Sequence, residues 1–257
     1  FAVSNNILYV TNGYNELLAL SPKKGGIYWR ASLTSPSRAA PTIFNDTVYV
    51  MTVDNRVEAL NAATGQKKWS YEGLAELTGL VGAASPAVDN DVVIAPLSSG
   101  ELTALRTVNG SLAWSDNLSP MVRMGGSSSL PDIRALPIID KNYVFAISYG
   151  GRIVAIESRT GRRIWQRDIG GAKSPWVSGN TIFFISASAE LVALSHDTGG
   201  LLWVKSLASL VDDEARRNSL LWQGPVLAGG RLIVSSPDGT ILEIAPDKGT
   251  VLRRLKT

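Results

Sequence analysis

The chain has a single histidine, His196, and it stands beside Asp197. An imidazole next to a carboxylate is the pair from which a general base is built. A base also needs a nucleophile in reach, and no Ser-His-Asp set can be assembled around this one. His196 falls in a turn seven residues before Trp203, where a solvated loop residue is expected. There is no cysteine, which removes disulfides, thiolate catalysis and cysteine metal sites from these residues. The densest acidic run, Asp212-Asp213-Glu214, could approach a cation. Arg216 and Arg217 follow at helical spacing, so a short surface helix with internal ion pairs is the expectation. No H-x-x-H pair, EF-hand or phosphate loop appears. These residues lead to no expected catalytic group, metal site or cofactor; the chemistry expected of the chain is binding.

The composition frames that expectation. In 257 residues, 45% are hydrophobic and 18% charged, enough to bury the core of one large all-β domain. The 25 basic and 22 acidic residues leave a net charge of +3. The basic pairs Lys23-Lys24, Lys67-Lys68, Arg162-Arg163 and Arg253-Arg254 are dispersed, each in or just after the same kind of turn. They predict solvated outer strands and no nucleic-acid stripe. No run of 18 apolar residues exists, so no membrane-spanning helix is expected. The chain opens at Phe1 without a signal peptide, and an N-terminal segment is expected to have been removed.

A repeat organises everything else. Five tryptophans anchor it: Trp29, Trp69, Trp114, Trp165 and Trp203. A proline lies 28 positions before each of the last four, at Pro41, Pro86, Pro137 and Pro175. Pro225 predicts a sixth anchor at 253, where Arg253 stands instead. Four residues before each anchor lie Gly25, Gly65, Gly110, Gly161, Gly199 and Gly249. Ten before lie Ala19, Ala59, Ala104, Ala155 and Ala193, with Glu243 breaking the column. Columns of leucine and isoleucine, with Val57 among them, keep the same phase nine and twelve residues before. The unit Pro41–Trp69 reads as four short strands. Their turns, Asn45-Asp46, Asp54-Asn55 and Thr64-Gly65, suit tight hairpins and positive φ. Unbroken apolar runs such as Val48–Met51 and Ile182–Ile185 must be buried on both faces. The alanine leaves room for a neighbouring sheet, the glycine closes the last hairpin, and the tryptophan is expected to lie against the adjacent sheet. Four antiparallel strands per 38–51 residues predict an all-β propeller with six blades, at approximately 1–33, 41–73, 86–118, 137–169, 175–207 and 225–257 in a single domain 1–257.

The segments ALNAATGQKKW (59–69), AIESRTGRRIW (155–165) and ALSHDTGGLLW (193–203) resemble the tryptophan-docking repeat of quinoprotein dehydrogenases. Within that superfamily, 132–165 and the unit after it are most similar to the BamB family, lipoproteins of the outer-membrane β-barrel assembly machinery. The resemblance covers the whole chain. It implies an eight-bladed propeller with about two N-terminal blades missing here, and a lipid anchor outside these residues. It also implies a place on the periplasmic face of the outer membrane of a Gram-negative bacterium, and a non-enzymatic scaffold. The quinoprotein dehydrogenases it also resembles carry adjacent cysteines and a calcium-held quinone over a longer chain. A redox or sugar-binding enzyme fragment of that kind is the alternative reading.

Function is then expected in the connections from each anchor to the next proline, which all lie on one face and span 12, 17, 23, 10 and 22 positions. The two flanking the third repeat, 70–85 and 115–136, carry Leu77, Leu80, Val81, Met121, Val122 and Met124, with Arg123, Asp132 and Arg134 beside them. Apolar residues rimmed by charge mark a protein-binding surface. The resemblance implies that these connections bind the periplasmic domain of BamA. The family's first connection carries a leucine motif ending in arginine; here Leu77 and Leu80 match and Val81 stands at the arginine. Its second carries an aspartate-x-aspartate pair; here Asp132 matches the first and Arg134 replaces the second. Protein-binding residues are therefore expected at Leu77, Leu80, Val81, Met121, Arg123, Asp132 and Arg134.

Overall fold

A computed structural model of the chain describes residues 1–74, 84–119, 133–211 and 221–256. Blade 1 comprises β1 (Ala2–Ser4), β2 (Ile7–Thr11), β3 (Glu16–Leu20) and β4 (Ile27–Ser32). Blade 2 comprises β5 (Thr42–Phe44), β6 (Thr47–Met51), β7 (Arg56–Asn61) and β8 (Lys67–Glu72). Blade 3 follows with β9 (Ala87–Val88), β10 (Val92–Pro96), β11 (Glu101–Arg106) and β12 (Leu112–Asn117). Blade 4 has β13 (Ile138–Asp140), β14 (Tyr143–Ile147), β15 (Ile153–Glu157) and β16 (Arg163–Arg167). Blade 5 has β17 (Trp176–Ser178), β18 (Thr181–Ile185), β19 (Glu190–Ser195) and β20 (Leu201–Ser206). Blade 6 has β21 (Gln223–Ala228), β22 (Arg231–Ser235), β23 (Thr240–Ile244) and β24 (Val251–Lys256). Each set of four pairs in sequence order into its own antiparallel sheet, which is the meander of a propeller blade.

The turns follow from their residues. Asn45, Asn55 and Gly65 take φ of 50°, 61° and 73°, as the hairpins of blade 2 require. Every third-to-fourth-strand pairing carries a register shift beside the alanine column, between Ala59 and Leu60 in blade 2, for example. The strands β6 and β10 are buried along their whole length, as their unbroken apolar runs demand.

The core is divided. Five clusters of buried apolar side chains each lie between two consecutive blades: Tyr49, Val57, Trp69, Val93 and Leu105 between blades 2 and 3, for instance, and Ile94, Leu102, Trp114, Val144 and Ile156 between blades 3 and 4. Each blade is thus one layer, and each seam between blades is a separate core.

One unit builds every seam. The anchor tryptophan of a blade lies opposite its own alanine, as Trp69 does to Ala59. Its ring covers the column glycine of the next blade so closely that a Cβ at Gly110 would meet Trp69 at 2.4 Å and one at Gly199 would meet Trp165 at 2.6 Å. Its Nε1 donates to a carbonyl of that next blade. Trp29 reaches Ala62 O at 3.0 Å, Trp69 Thr107 O at 2.9 Å, Trp114 Ser158 O at 2.7 Å, Trp165 His196 O at 2.8 Å and Trp203 Pro246 O at 2.9 Å. Ring burial supplies the affinity, and the N–H to carbonyl bond fixes the angle between blades.

Candidate functional site

The connections between blades leave from the ends of the fourth strands and run past the second-to-third-strand turns. A recurring bond fixes their starting points. The first residue of the connection returns its N–H to the turn carbonyl: Leu33 to Asn15 O at 2.7 Å, Gly73 to Asn55 O at 3.0 Å, Leu118 to Gly100 O at 2.8 Å and Leu207 to Ala189 O at 2.9 Å. The backbone at Asn15, Asn55, Gly100 and Ala189 has φ between 56° and 81°, which turns these carbonyls toward the connection.

Side chains add a second tie at the connections that matter most. Asn55 is buried and donates from Nδ2 to Leu74 O at 2.8 Å and Ser98 Oγ at 2.9 Å. Its Oδ1 accepts from Ser98 N at 3.1 Å. One amide therefore joins the turn of blade 2, the connection 2→3 and the turn of blade 3. On the next connection, Ser148 Oγ of blade 4 donates to Leu118 O at 2.9 Å and accepts from Arg152 N at 3.1 Å. Between blades 1 and 2, Glu58 is fully buried and its Oε1 accepts from Thr34 N and Oγ1 at 2.8 and 2.7 Å, while Lys67 neutralises its other oxygen. Beside the first long connection, burial and the charge of Glu101 push the Tyr71 phenol above its ordinary pKa. These ties hold the stems of both long connections rigidly on one face. Buried polar groups with all their bonds made are worth most for such positioning.

Of the expected contact residues, Arg134 is described. It is half-buried, between Ile133 and Ala135, which are 2% and 1% exposed. Leu77, Leu80, Val81, Met121, Val122, Met124, Arg123 and Asp132 lie outside the described residues, as do Asp212–Glu214, Arg216 and Arg217. On the described part of the connection, Leu74 is 74% exposed where the chain leaves blade 2. The same face carries the exposed Tyr149 and Leu221, which the sequence reading did not single out.

The expectation for His196 is overturned. It is 1% exposed, with Nδ1 2.7 Å from Asp197 Oδ1 and Nε2 3.0 Å from Asp140 Oδ2. Its ring meets Tyr143 and Phe145 edge-on at 5.0 and 4.9 Å. The two carboxylates bond different ring nitrogens and so do not converge on one point. The arrangement clamps blade 4 to blade 5. The repeat holds the signal that finds it: His196 lies seven residues before its anchor, in the same column as Ala62, Thr107, Ser158 and Pro246, whose carbonyls receive the preceding tryptophan.

Six four-stranded sheets, joined by indole-on-glycine seams and carrying length-variable connections on one face, define a β-propeller of the PQQ-repeat class. The family model described as outer membrane protein assembly factor BamB matches residues 1–205 and 182–256, and the chain belongs to that family. It is 25% identical to BamB from Moraxella catarrhalis, whose crystal structure superposes with a TM-score of 0.83 over 98% of this chain and 73% of that one. It is 29% identical over 153 residues to the outer membrane protein assembly factor BamB of Nitrosomonas eutropha, 60% of this chain and 37% of that protein. For Yersinia pestis BamB the identity is 26% over 167 residues, 65% of this chain and 42% of that one, so the matched region spans about two-fifths of these relatives. The quinohemoprotein alcohol dehydrogenase of Comamonas testosteroni shares the fold, with a TM-score of 0.69 at 18% identity.

Proposed function

We propose that this chain acts in outer-membrane protein assembly as a non-enzymatic scaffold on the periplasmic face of the outer membrane. Its partner is the periplasmic domain of BamA, and the contact is made by the connections 70–85 and 115–136. The observation that carries the reading is the pinning of both connection stems, by Asn55 and Ser148, onto one face of a BamB-family propeller. Rigid stems preorganise the connections, so ordering them on binding costs little. In this reading Leu77 and Leu80 supply apolar contact. Val81, Met121 and Arg123 extend it, and Asp132 and Arg134 select a charged partner surface.

The test is a pull-down of the chain with the periplasmic domain of BamA from its own organism, alongside Leu80→Ala/Asp132→Ala. Capture by the wild-type chain that the double change abolishes supports both the role and the surface. Equal capture by both would move the site elsewhere. Absence of capture at micromolar concentration would count against the partner. Absorbance scans after incubation with pyrroloquinoline quinone and calcium address the enzymatic alternative; retained quinone would overturn the non-enzymatic reading.

A further inference from the structure

On the face that holds the connections, a groove of about 100 Å³ lies over blades 4, 5 and 6. Tyr149 of the β14–β15 turn, Lys173 of the connection 4→5, Ala187 of the β18–β19 turn, and Leu221 and Trp222 before β21 line it, over Ile185. Its floor is rigid, because Gly171 N donates to Ser148 O at 3.0 Å and Ala187 N to Gly170 O at 2.8 Å. Its rim is apolar and open: Tyr149 is 41% and Leu221 71% exposed. The groove is continuous with the second long connection, since Leu136 N donates to Ser174 Oγ at 2.8 Å, next to Lys173.

The polar character of the groove is one-sided. Among the described lining residues Lys173 is the charged one, and none of them is a carboxylate. Trp222 is 3% exposed, so its indole forms a closed wall of the groove. A cation beside apolar walls selects an anionic group next to an apolar side chain.

We propose that this groove is a second docking site, for an extended acidic peptide segment that inserts one apolar side chain and sets a carboxylate against Lys173. The proposal rests on the reading of this face as a binding face, and it needs no particular partner. The probe is the fluorescein-labelled heptapeptide Gly-Ser-Asp-Phe-Asp-Ser-Gly, titrated by fluorescence anisotropy with the intact chain. A version with lysine at both aspartates serves as charge control. The acidic peptide is expected to bind. Affinity should fall at least tenfold, roughly 1.4 kcal/mol, for Lys173→Glu, which reverses the rim charge, and for Ala187→Trp, which fills the groove from an exposed position. Arg253→Ala, outside the groove lining, should bind as wild type, and thermal melts confirm that each variant is folded. Equal binding of the acidic and basic peptides, unchanged affinity in both groove variants, or no binding up to millimolar peptide would each overturn the proposal. The two readings fail separately. A chain that captures the BamA domain and ignores the peptide loses only the groove; one that binds the peptide and not BamA loses only the partner.

Discussion

Between blades 3 and 4, Trp114 lays its indole on Gly161, and Ala104 is fully buried opposite it. On the far face of blade 6 the same two columns hold Arg253 and Glu243, paired across β23 and β24. Glu243 is also bonded to Arg231 at 2.7 Å. The face toward blade 5 keeps its apolar core: Leu232, Val234, Leu242 and Ile244 are buried at 0–1% exposure against blade 5. A propeller blade therefore has two separable faces. The face toward the preceding blade is specified by apolar strand residues and the column glycine. The face toward the next is specified by tryptophan and alanine in blades 1 to 5, and in blade 6 a charged pair stands in those two columns.

The sharpest way to break this comparison is to truncate both columns. Trp114→Ala should destabilise by about 3–5 kcal/mol, because it empties a seam core and leaves Ser158 O without its donor. Arg253→Ala should stay within about 0.5 kcal/mol, since it alters an exposed residue that belongs to none of the five described seam clusters. Urea denaturation followed by circular dichroism measures both. Similar losses would mean that the face of blade 6 is as structural as a seam.

The glycine column gives the next effect. Gly110 and Gly25 share a φ near +70°, so alanine at either is strained by about 1–2 kcal/mol. At Gly110 the new Cβ also strikes Trp69, whereas nothing lies within 4 Å of the corresponding point at Gly25. Gly110→Ala should cost about 1–3 kcal/mol more than Gly25→Ala in the same assay. Equal costs would show that the column answers to backbone conformation alone. His196→Ala, which removes the clamp between blades 4 and 5, should lower stability by about 2–3 kcal/mol while leaving partner capture intact. Loss of capture in a folded His196 variant would instead give the residue a functional role.

The fold was legible in the sequence because its determinants are side chains that recur in phase. Tryptophan and alanine do one steric job in each of five blades and glycine in all six, so the repetition exposes the columns. His196 was misread because the job of its column is done by a backbone carbonyl. That carbonyl accepts the indole N–H whether the residue is Ala62, Thr107 or His196, so side-chain identity there reports nothing about burial. The candidate site was legible in outline only. Variable connection length pointed to the face that carries the pinned stems, but Asn55 and Ser148, which pin them, sit in turns where asparagine and serine are common for other reasons. The groove formed by Tyr149, Lys173 and Trp222 draws on three connections far apart in sequence, and no local pattern could assemble it.

The smallest effect expected belongs to a turn inside blade 6, away from any seam. Asp238 Oδ1 accepts from Ser236 Oγ at 2.5 Å and from Thr240 N at 3.1 Å. Those bonds, with a smaller contribution from the charge of Lys256, hold its carboxyl down to about 2 from an ordinary 3.8. The folded state thus prefers the carboxylate. Its contribution to stability is complete above pH ~4 and is lost as pH falls toward ~2. Asp238→Asn keeps acceptor geometry but cannot titrate. Thermal melts of the two proteins at pH 5, 4, 3 and 2 should show wild type ahead by a constant margin down to pH 4 and the margin closing below it. A margin that persists to pH 2 would mean that the turn depends on side-chain shape and not on charge. The blade 6 turn would then follow the same steric logic as the seams.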